Sequence, residues 1–426
     1  MKLTPAALPD TLRHVDVPED RLDDILDLDL WAFPASHTVG ELRERPSPLS
    51  WDRVRGVEAE GVDGLVGMHA SYPFARFPVP GATLAVAGLT WVGVHPGHRR
   101  QGILRAMVND HLAAAAGRGE TVSALTASEP AIYGRFGYGM ASQVVSLSLP
   151  RGATLHPVPG SDRVKIGFEA FDLERHRDLV AELHAAAGGS QPNRPGWVTR
   201  ETPELARGFL DDHPIVRGGS EPRRMLVARV AGRPTGYAMF RRRLDWPDGT
   251  AAGTVHVRET VALDPPTAHA LWSRLLDLDL TTSIEVGQLT LADPLLGLLV
   301  DLRAAKPRLS DNVWIRIIDL PGALAGRRYA SDLDLVLELG DDLIAENAGR
   351  WRVRAAAFAG DVSVTRTDDA ADIRLDVATL GALYLGGGSA ASLAGAGALT
   401  ASSPAALARF ATAFGWPVPP GSSWVF

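Results

Sequence analysis

The chain has 426 residues, 46% of them hydrophobic, with 43 Lys and Arg against 50 Asp and Glu and a formal charge of −7. That length exceeds one ordinary core and favours about two to four domains. The scattered basic residues argue against a nucleic-acid footprint, and the absence of cysteine excludes disulfides and thiolate catalysis and removes the usual structural zinc sites. Residues 1–20 reach proline and charge before any apolar signal region forms, and no run of about eighteen apolar residues occurs, so neither a secretory signal nor a spanning helix is expected. The cytosol is the expected compartment.

Residues 20–45 carry Leu22, Ile25, Leu26 and Leu30 at helical spacing, and Pro34 after Trp31, Ala32 and Phe33 ends that helix. Strand material follows at Gly64 to His69, then a proline-rich crossing through Tyr72, Phe74 and Phe77. Leu89 to Val94 is an uninterrupted apolar run that reads as a buried strand, stopped by Pro96-Gly97. Arg99-Arg100-Gln101-Gly102 then leads into Ile103, Leu104, Met107, Val108 and Leu112, one face of an amphipathic helix. Thr121 to Thr126 is a further β-rich segment, and Ser128-Glu129-Pro130 caps a short helix that carries Tyr133. This α-β-β-β-α-β order closes near residue 155.

Arg151 to Arg163 is a composition break, after which the grammar repeats: a helix at 172–186, a hairpin from Met225 to Arg229 through Gly232 to Phe240, a strand Thr254 to Leu263, a helix His269 to Leu276 and a segment at 284–291. Where the first half has its basic turn, the second reads Leu263-Asp264-Pro265-Pro266-Thr267. An aspartate there is expected to repel an anion, which makes this half a degenerate copy serving structure. The run Arg241 to Arg243 reads as a solvated strand end or part of a subunit interface. The remaining residues show strands at Val313 to Ile318, Asp332 to Leu339, Arg350 to Ala357, Ser363 to Arg366 and Ile373 to Val377. Helices are expected at Leu380 to Leu385 and Ala405 to Phe414, and Gly381 to Leu399 reads as a tightly packed loop and helix.

The basic turn at a helix N-terminus is the chemical centre of the chain. Unpaired backbone N–H groups and the positive helix end converge there on an anion, Gly102 allows close backbone approach, and Arg99 and Arg100 add forked donors. A pyrophosphate fits. Neither GxxxxGK[ST] nor GxGxxG is present, so a nucleoside triphosphate or dinucleotide is disfavoured. His95 and His98 flank the turn, but two histidines without a third ligand make a poor metal site.

Strand, Val94-x-Pro96, Arg99-Arg100-x-Gly102 and helix in this order resemble motif A of the GCN5-related N-acetyltransferases (GNAT), with Leu104 where the usual form has Gly or Ala. Together with S-E-x-x-I-Y-G-R-F-G-Y-G from Ser128 to Gly139, this resembles the "enhanced intracellular survival" (Eis) acetyltransferases. The resemblance implies an α+β fold of tandem GNAT domains, the second degenerate, followed by a sterol-carrier-protein-like domain. D-L-x-L-V-L-E-L from Asp332 and G-x-L-Y-L-G-G from Gly381 look like landmarks of that last domain. The implied boundaries are 1–155, 156–307 and 308–426.

The resemblance also implies an acetyl-CoA-dependent N-acetyltransferase acting on a primary amine of an aminoglycoside, a polyamine or a lysine side chain. Val92, Gly93 and Val94 would meet the pantetheine arm, Arg99, Arg100, Gln101, Gly102, Ile103, Leu104 and Arg105 the pyrophosphate, and Ser128 and Glu129 a second coenzyme contact. Tyr133 would be the general acid, since a phenol of ordinary pKa is close to an alkyl thiol. Phe136 and Tyr138 would wall the pocket. The base implied by the family is the chain's own terminal carboxylate, on Phe426, delivered from the third domain into the first. Trp31, Phe33 and Trp91 are the candidate walls for the acceptor. The Trp31 to Pro34 segment lacks a carboxylate, although Asp27 and Asp29 lie just upstream, and Val425 is apolar, which weighs against a polycationic acceptor. No metal is implied, and the family's homohexamer, a trimer of dimers, is carried over by analogy. The competing expectation is a non-catalytic protein that binds an apolar ligand in its last domain.

Overall fold

The computed structural model describes residues 8–426. In chain order its first part contains β1 (Leu12–Asp16), α1 (Leu22–Ala32), α2 (Val39–Arg43), β2 (Val54–Ala59), β3 (Gly67–Val79), β4 (Ala82–Val94), α3 (Ile103–Gly117), β5 (Val122–Thr126), β6 (Gly139–Met140) and β7 (Gln143–Pro150). Its middle part contains β8 (Lys165–Ala170), α4 (Leu173–Gly189), α5 (Pro203–Leu210), β9 (Arg224–Val230), β10 (Arg233–Arg243), β11 (Gly253–Ala262), α6 (Pro265–Leu275), β12 (Thr281–Thr290), α7 (Pro294–Leu298), β13 (Arg308–Asp311) and β14 (Val313–Ile317). The last part contains α8 (Leu320–Ala325), β15 (Leu333–Gly340), β16 (Gly349–Ala355), β17 (Val362–Arg366), β18 (Ile373–Asp376), α9 (Val377–Tyr384), α10 (Ala390–Gly395), β19 (Leu399–Ala401) and α11 (Pro404–Phe414).

Two seven-stranded sheets run β1-β2-β3-β4-β5-β14-β6 and β13-β7-β12-β11-β10-β9-β8, and a five-stranded sheet runs β17-β16-β15-β18-β19. The expected boundaries near 155 and 307 run along the chain, whereas sheet membership crosses both. β7 pairs with β12 and β13 in the second sheet. β14, read from sequence as the first strand of the last domain, sits instead between β5 and β6 in the first sheet. Alternating apolar residues determine which face a strand buries but carry no information about its neighbour. The two halves are thereby stapled through exchanged strands.

The proline-rich crossing is a second correction. Tyr72, Phe74 and Phe77 belong to β3, which pairs with β4 along the whole length from Gly67 to Val79. Pro73 and Pro78 are tolerated because β3 has lost its β2 partner beyond Ala70, so an N–H is needed on one side alone. The helix at 20–45 is likewise two: α1 ends before Pro34, and α2 starts at a capping box in which Thr38 and Glu41 exchange hydrogen bonds.

Apolar residues of the first sheet and of the last domain fill one continuous core: Tyr72, Phe74, Phe77, Val86 and Ile315 share it with Leu335, Leu380, Phe410 and Trp424. α9 packs directly on β6 and β14 because glycines face each other there. A Cβ on Gly139 would overlap the Ala378 carbonyl oxygen, and one on Gly381 would overlap that of Ile315. This contact sends the end of the chain back toward the first sheet.

Candidate active site

β4 and β5 are parallel neighbours at Val86 to Gly88 and then diverge. Past Gly88, β4 keeps β3 on one side, and its other edge borders a cavity of about 660 Å³ lined by Trp91, Val92, Gly93 and Val94. Two residues of β4, Trp91 and Val92, oppose His69 of β3, and Trp91 takes a left-handed φ of 52°. This bulge bends the strand and re-aims its backbone where the edge is open.

The basic turn forms the cavity's far end. Arg100 (φ 65°) and Gly102 (φ 84°) both adopt left-handed conformations, which curls successive backbone N–H groups toward one point. The non-glycine member costs about 1 kcal/mol. α3 begins directly after Gly102 without any side-chain cap and without an acidic residue in its first turn, so its leading N–H groups are available to an anion. Arg99, Arg100, Gly102, Ile103, Leu104 and Arg105 all line the cavity, as do Ser128 and Glu129 opposite; Gln101 does not. His95 is absorbed by the turn itself, its Nδ1 accepting from the Gly97 N–H at 3.1 Å.

Tyr133 lines the same cavity between the two strand ends. Burial, with Glu129 adding its charge, pushes its hydroxyl up to about 12, so the phenol remains protonated at neutral pH. Phe136 also lines the cavity, whereas Tyr138 lies beneath it, fully buried and hydrogen-bonded to Ser123 at 2.8 Å. Tyr138 therefore supports the floor and does not wall the pocket.

The terminal residues enter here. Phe426 is 6% exposed and its ring stands edge-on to Phe74 at 4.9 Å. Its N–H donates to the Thr126 hydroxyl at 3.2 Å, and that hydroxyl in turn donates to an oxygen of the Phe426 carboxylate. Trp424 is fully buried and donates to the Val198 carbonyl at 2.7 Å. Ser423 is gripped by the second half: its hydroxyl donates to Glu259 at 2.8 Å and meets His184 Nε2 at 2.8 Å. Glu259 also accepts from Tyr237 at 2.7 Å and Arg200 at 2.7 Å. Burial alone would raise Glu259, but Arg200 and His184 bring it down to about 2, so the clamp is ionic.

A second cavity of about 530 Å³ shares Asp29, Thr90, Trp91, Val425 and Phe426 with the first. The Phe426 region is thus the common wall. Asp29, on α1, was not among the residues singled out for the site. Its carboxyl makes no side-chain hydrogen bond among the described residues, and burial raises it to about 6. Phe33 lines the first cavity and Trp91 both, with Trp91 Nε1 donating to the Tyr72 hydroxyl at 3.0 Å. Trp31 lines neither: it is 54% exposed and packs on His95 at 4.8 Å. The arginine run is also corrected. Arg241 pairs with Asp212 and lines the second cavity, and Arg242 pairs with Glu221, because both carboxylates lie on the segment preceding β9.

The domain architecture agrees with the comparisons. Residues 13–141 and 196–317 each match an acetyltransferase (GNAT) domain family, and residues 320–422 match a sterol carrier protein domain. N-acetyltransferase Eis of Mycobacterium tuberculosis is 35% identical over 369 residues, covering 85% of this chain and 86% of its own. This chain belongs to the Eis family of N-acetyltransferases. An uncharacterized N-acetyltransferase of Streptomyces coelicolor is 38% identical over 373 residues, covering 87% of this chain and 88% of its own. Among solved structures, Eis1 of Mycobacterium abscessus superposes with a TM-score of 0.77 at 31% identity, covering 97% of this chain and all of its own. The protein is accordingly an Eis-family acetyltransferase with two GNAT domains and a sterol-carrier-like domain, and GNAT acetyltransferases use acetyl-CoA as co-substrate. Among the described residues no helix is long and apolar enough to cross a membrane.

Proposed function

We propose that the larger cavity holds acetyl-CoA and that the smaller one brings a primary amine to its thioester, with Tyr133 as acid and the Phe426 carboxylate as base. The observation that carries this reading is the position of Phe426, held by Thr126 in the wall shared by both cavities. The open N-terminus of α3 and its arginines fit a pyrophosphate, and the unpaired edge of β4 fits an amide-bearing arm as an added strand. Acetyl-CoA supplies an acyl group on a sulfur leaving group. Asp29 and the Phe426 carboxylate attract the ammonium form of the acceptor, which loses one proton to solvent; the neutral nitrogen then attacks, and the terminal carboxylate takes the second proton from it as the carbon–sulfur bond breaks. The N–H groups at the β4 bulge face the carbonyl oxygen. The Tyr133 hydroxyl delivers its proton to the departing thiolate. A hydroxyl raised to about 12 is a weaker acid than free phenol, but the same apolar surroundings raise a thiolate formed beside it.

On the family resemblance, a homohexamer and a cytoplasmic location belong to the same proposal. The test is thiol release from acetyl-CoA in the presence of amine acceptors. Tyr133→Phe should lower kcat by about 10²- to 10⁴-fold, the usual worth of a positioned acid. Adding one glycine after Phe426 should also lower kcat while leaving acetyl-CoA binding measurable. Unchanged turnover in both variants would refute the assigned roles.

A further inference from the structure

The smaller cavity carries charge of the wrong sign for a polycationic acceptor. Its wall on the first half offers Asp29 and the terminal residue, but its wall on the second half offers Arg223, Arg241 and Arg258. Arg241 is matched by Asp212, and Arg45, at the rim, has Asp211 at 3.8 Å. The other two make no ion pair among the described residues. Arg223 donates to the carbonyls of Leu210 at 2.6 Å and Asp211 at 2.9 Å, and the nearby carboxylates of Asp212 and Asp211 are shared with Arg241 and Arg45. Arg258 has no hydrogen-bond or ion-pair partner among the described residues, and its neighbour Glu259 is already engaged by Arg200, Tyr237 and Ser423.

Arg258 is placed by a bulge. Met239 of β10 pairs with Glu259 and Phe240 with Val257, so Arg258 is the extra residue of β11. Its side chain is exposed and lines the cavities on either side of it. Burial together with the repulsion of Arg241 lowers the pKa of Arg223 to about 10. A buried guanidinium held by carbonyl oxygens, Arg223, beside an exposed one with no ion-pair partner among the described residues, Arg258, makes this wall of the cavity a place where a ligand can supply counter-charge.

We infer that the acceptor carries an oxyanion, a carboxylate or a phosphate monoester, at the end opposite its amine, and that Arg258 with Arg223 binds it while Asp29 and Phe426 receive the amine. This rests on the reading of the smaller cavity as the acceptor site. It names the acceptor class as an amine with an anionic tail. Forked guanidinium donors match both oxyanions in a bidentate manner, and a ligand positive at both ends would meet Arg258 at one of them.

The experiment compares acceptors that differ in tail charge, using the full chain and acetyl-CoA: 4-aminobutyrate and 6-aminohexanoate against their primary amides, and O-phosphoethanolamine against ethanolamine. The anionic member of at least one pair should exceed its neutral partner in kcat/KM by about 10- to 100-fold, the worth of a charge-assisted contact. The pair that shows the preference distinguishes carboxylate from phosphate. Arg258→Met should bring that ratio to about one, and Arg258→Lys should keep part of it; the melting temperature and acetyl-CoA binding of each variant verify folding. Calorimetry with 6-aminohexanoate and O-phosphoethanolamine alone gives a readout independent of turnover, and Arg258→Met should weaken the binding of the preferred anion. Ratios near one in a wild-type enzyme that binds acetyl-CoA, better turnover of diamines, or an anionic preference untouched by Arg258→Met would overturn the inference and leave the acetyltransferase reading standing. No acetyl-CoA binding by the wild-type protein would overturn both.

Discussion

The two acetyltransferase halves repeat the same arrangement and use one helix N-terminus in opposite ways. In the first, α3 starts after Gly102 with no cap, and two arginines frame the open N–H groups. In the second, Asp264 caps α6 by accepting the Thr267 N–H at 2.7 Å, and Pro265 and Pro266 have no N–H to offer. The aspartate expected to repel an anion does more: it occupies the donors an anion would use. The parallel gap has closed as well. The cavity on the α6 side of β11 measures about 130 Å³ against about 660 Å³ beside β4, with Trp272, Trp197 and Ser423 among its walls. Both halves keep a bulge in the equivalent strand, at Trp91 and at Arg258. On the proposed reading, one copy carries the chemistry and the other holds what the first copy needs.

The strongest challenge to that division is at the tail clamp. Glu259→Gln leaves Arg200 buried without its counter-charge and should destabilise the protein by about 3–5 kcal/mol in chemical denaturation. At a temperature where the variant is folded, it should lose kcat by loosening Ser423 while still binding acetyl-CoA. Equal loss of coenzyme affinity would mean that the halves are not divided by task.

Asp29 gives a second, smaller effect. Its pKa is raised to about 6, above the unfolded value, so the folded state holds the extra proton. Stability from this group is therefore greatest below the unfolded pKa, falls as pH rises between the two values, and is a net cost above about 6. Asp29→Asn should stabilise the protein by about 1–2 kcal/mol at pH 7.5, discounted for its partial exposure, and leave stability at pH 4 nearly unchanged. Because the ionised carboxylate attracts the amine, kcat/KM should rise with pH through about 6 in the wild type, and that limb should vanish in Asp29→Asn.

The smallest effect concerns the second half's helix. Asp264→Ala should cost about 1 kcal/mol as a lost cap and should create no coenzyme site, since the prolines remain. A gain of acetyl-CoA binding would show that the cap alone closes that half.

These residues also show what a sequence makes legible. The motif strand, turn and helix were readable because each is local: an unbroken apolar run, a stop at Pro96, and apolar residues at helical spacing. Tyr133 followed from a rigidly spaced motif. Asp29 was passed over because burial by distant segments, not its own neighbours, raises its pKa. Arg241 read as solvated because its partner, Asp212, precedes it by a whole hairpin. An aromatic beside a candidate pocket gives no direction, so Trp31 reads from sequence as a wall, whereas α1 turns it outward onto His95. Its position along the chain groups β14 with the last domain, whereas it pairs with β5 in the first sheet, because periodicity reports a face and not a partner.

The central claim is that one half grips coenzyme and the other does not, and acetyl-CoA titration by calorimetry tests it most directly. The account expects one site per chain, with Arg99→Glu combined with Arg100→Glu lowering its affinity by about 10²-fold or more, the worth of two charge-assisted phosphate contacts. Two sites per chain, or an affinity indifferent to that double reversal, would contradict it.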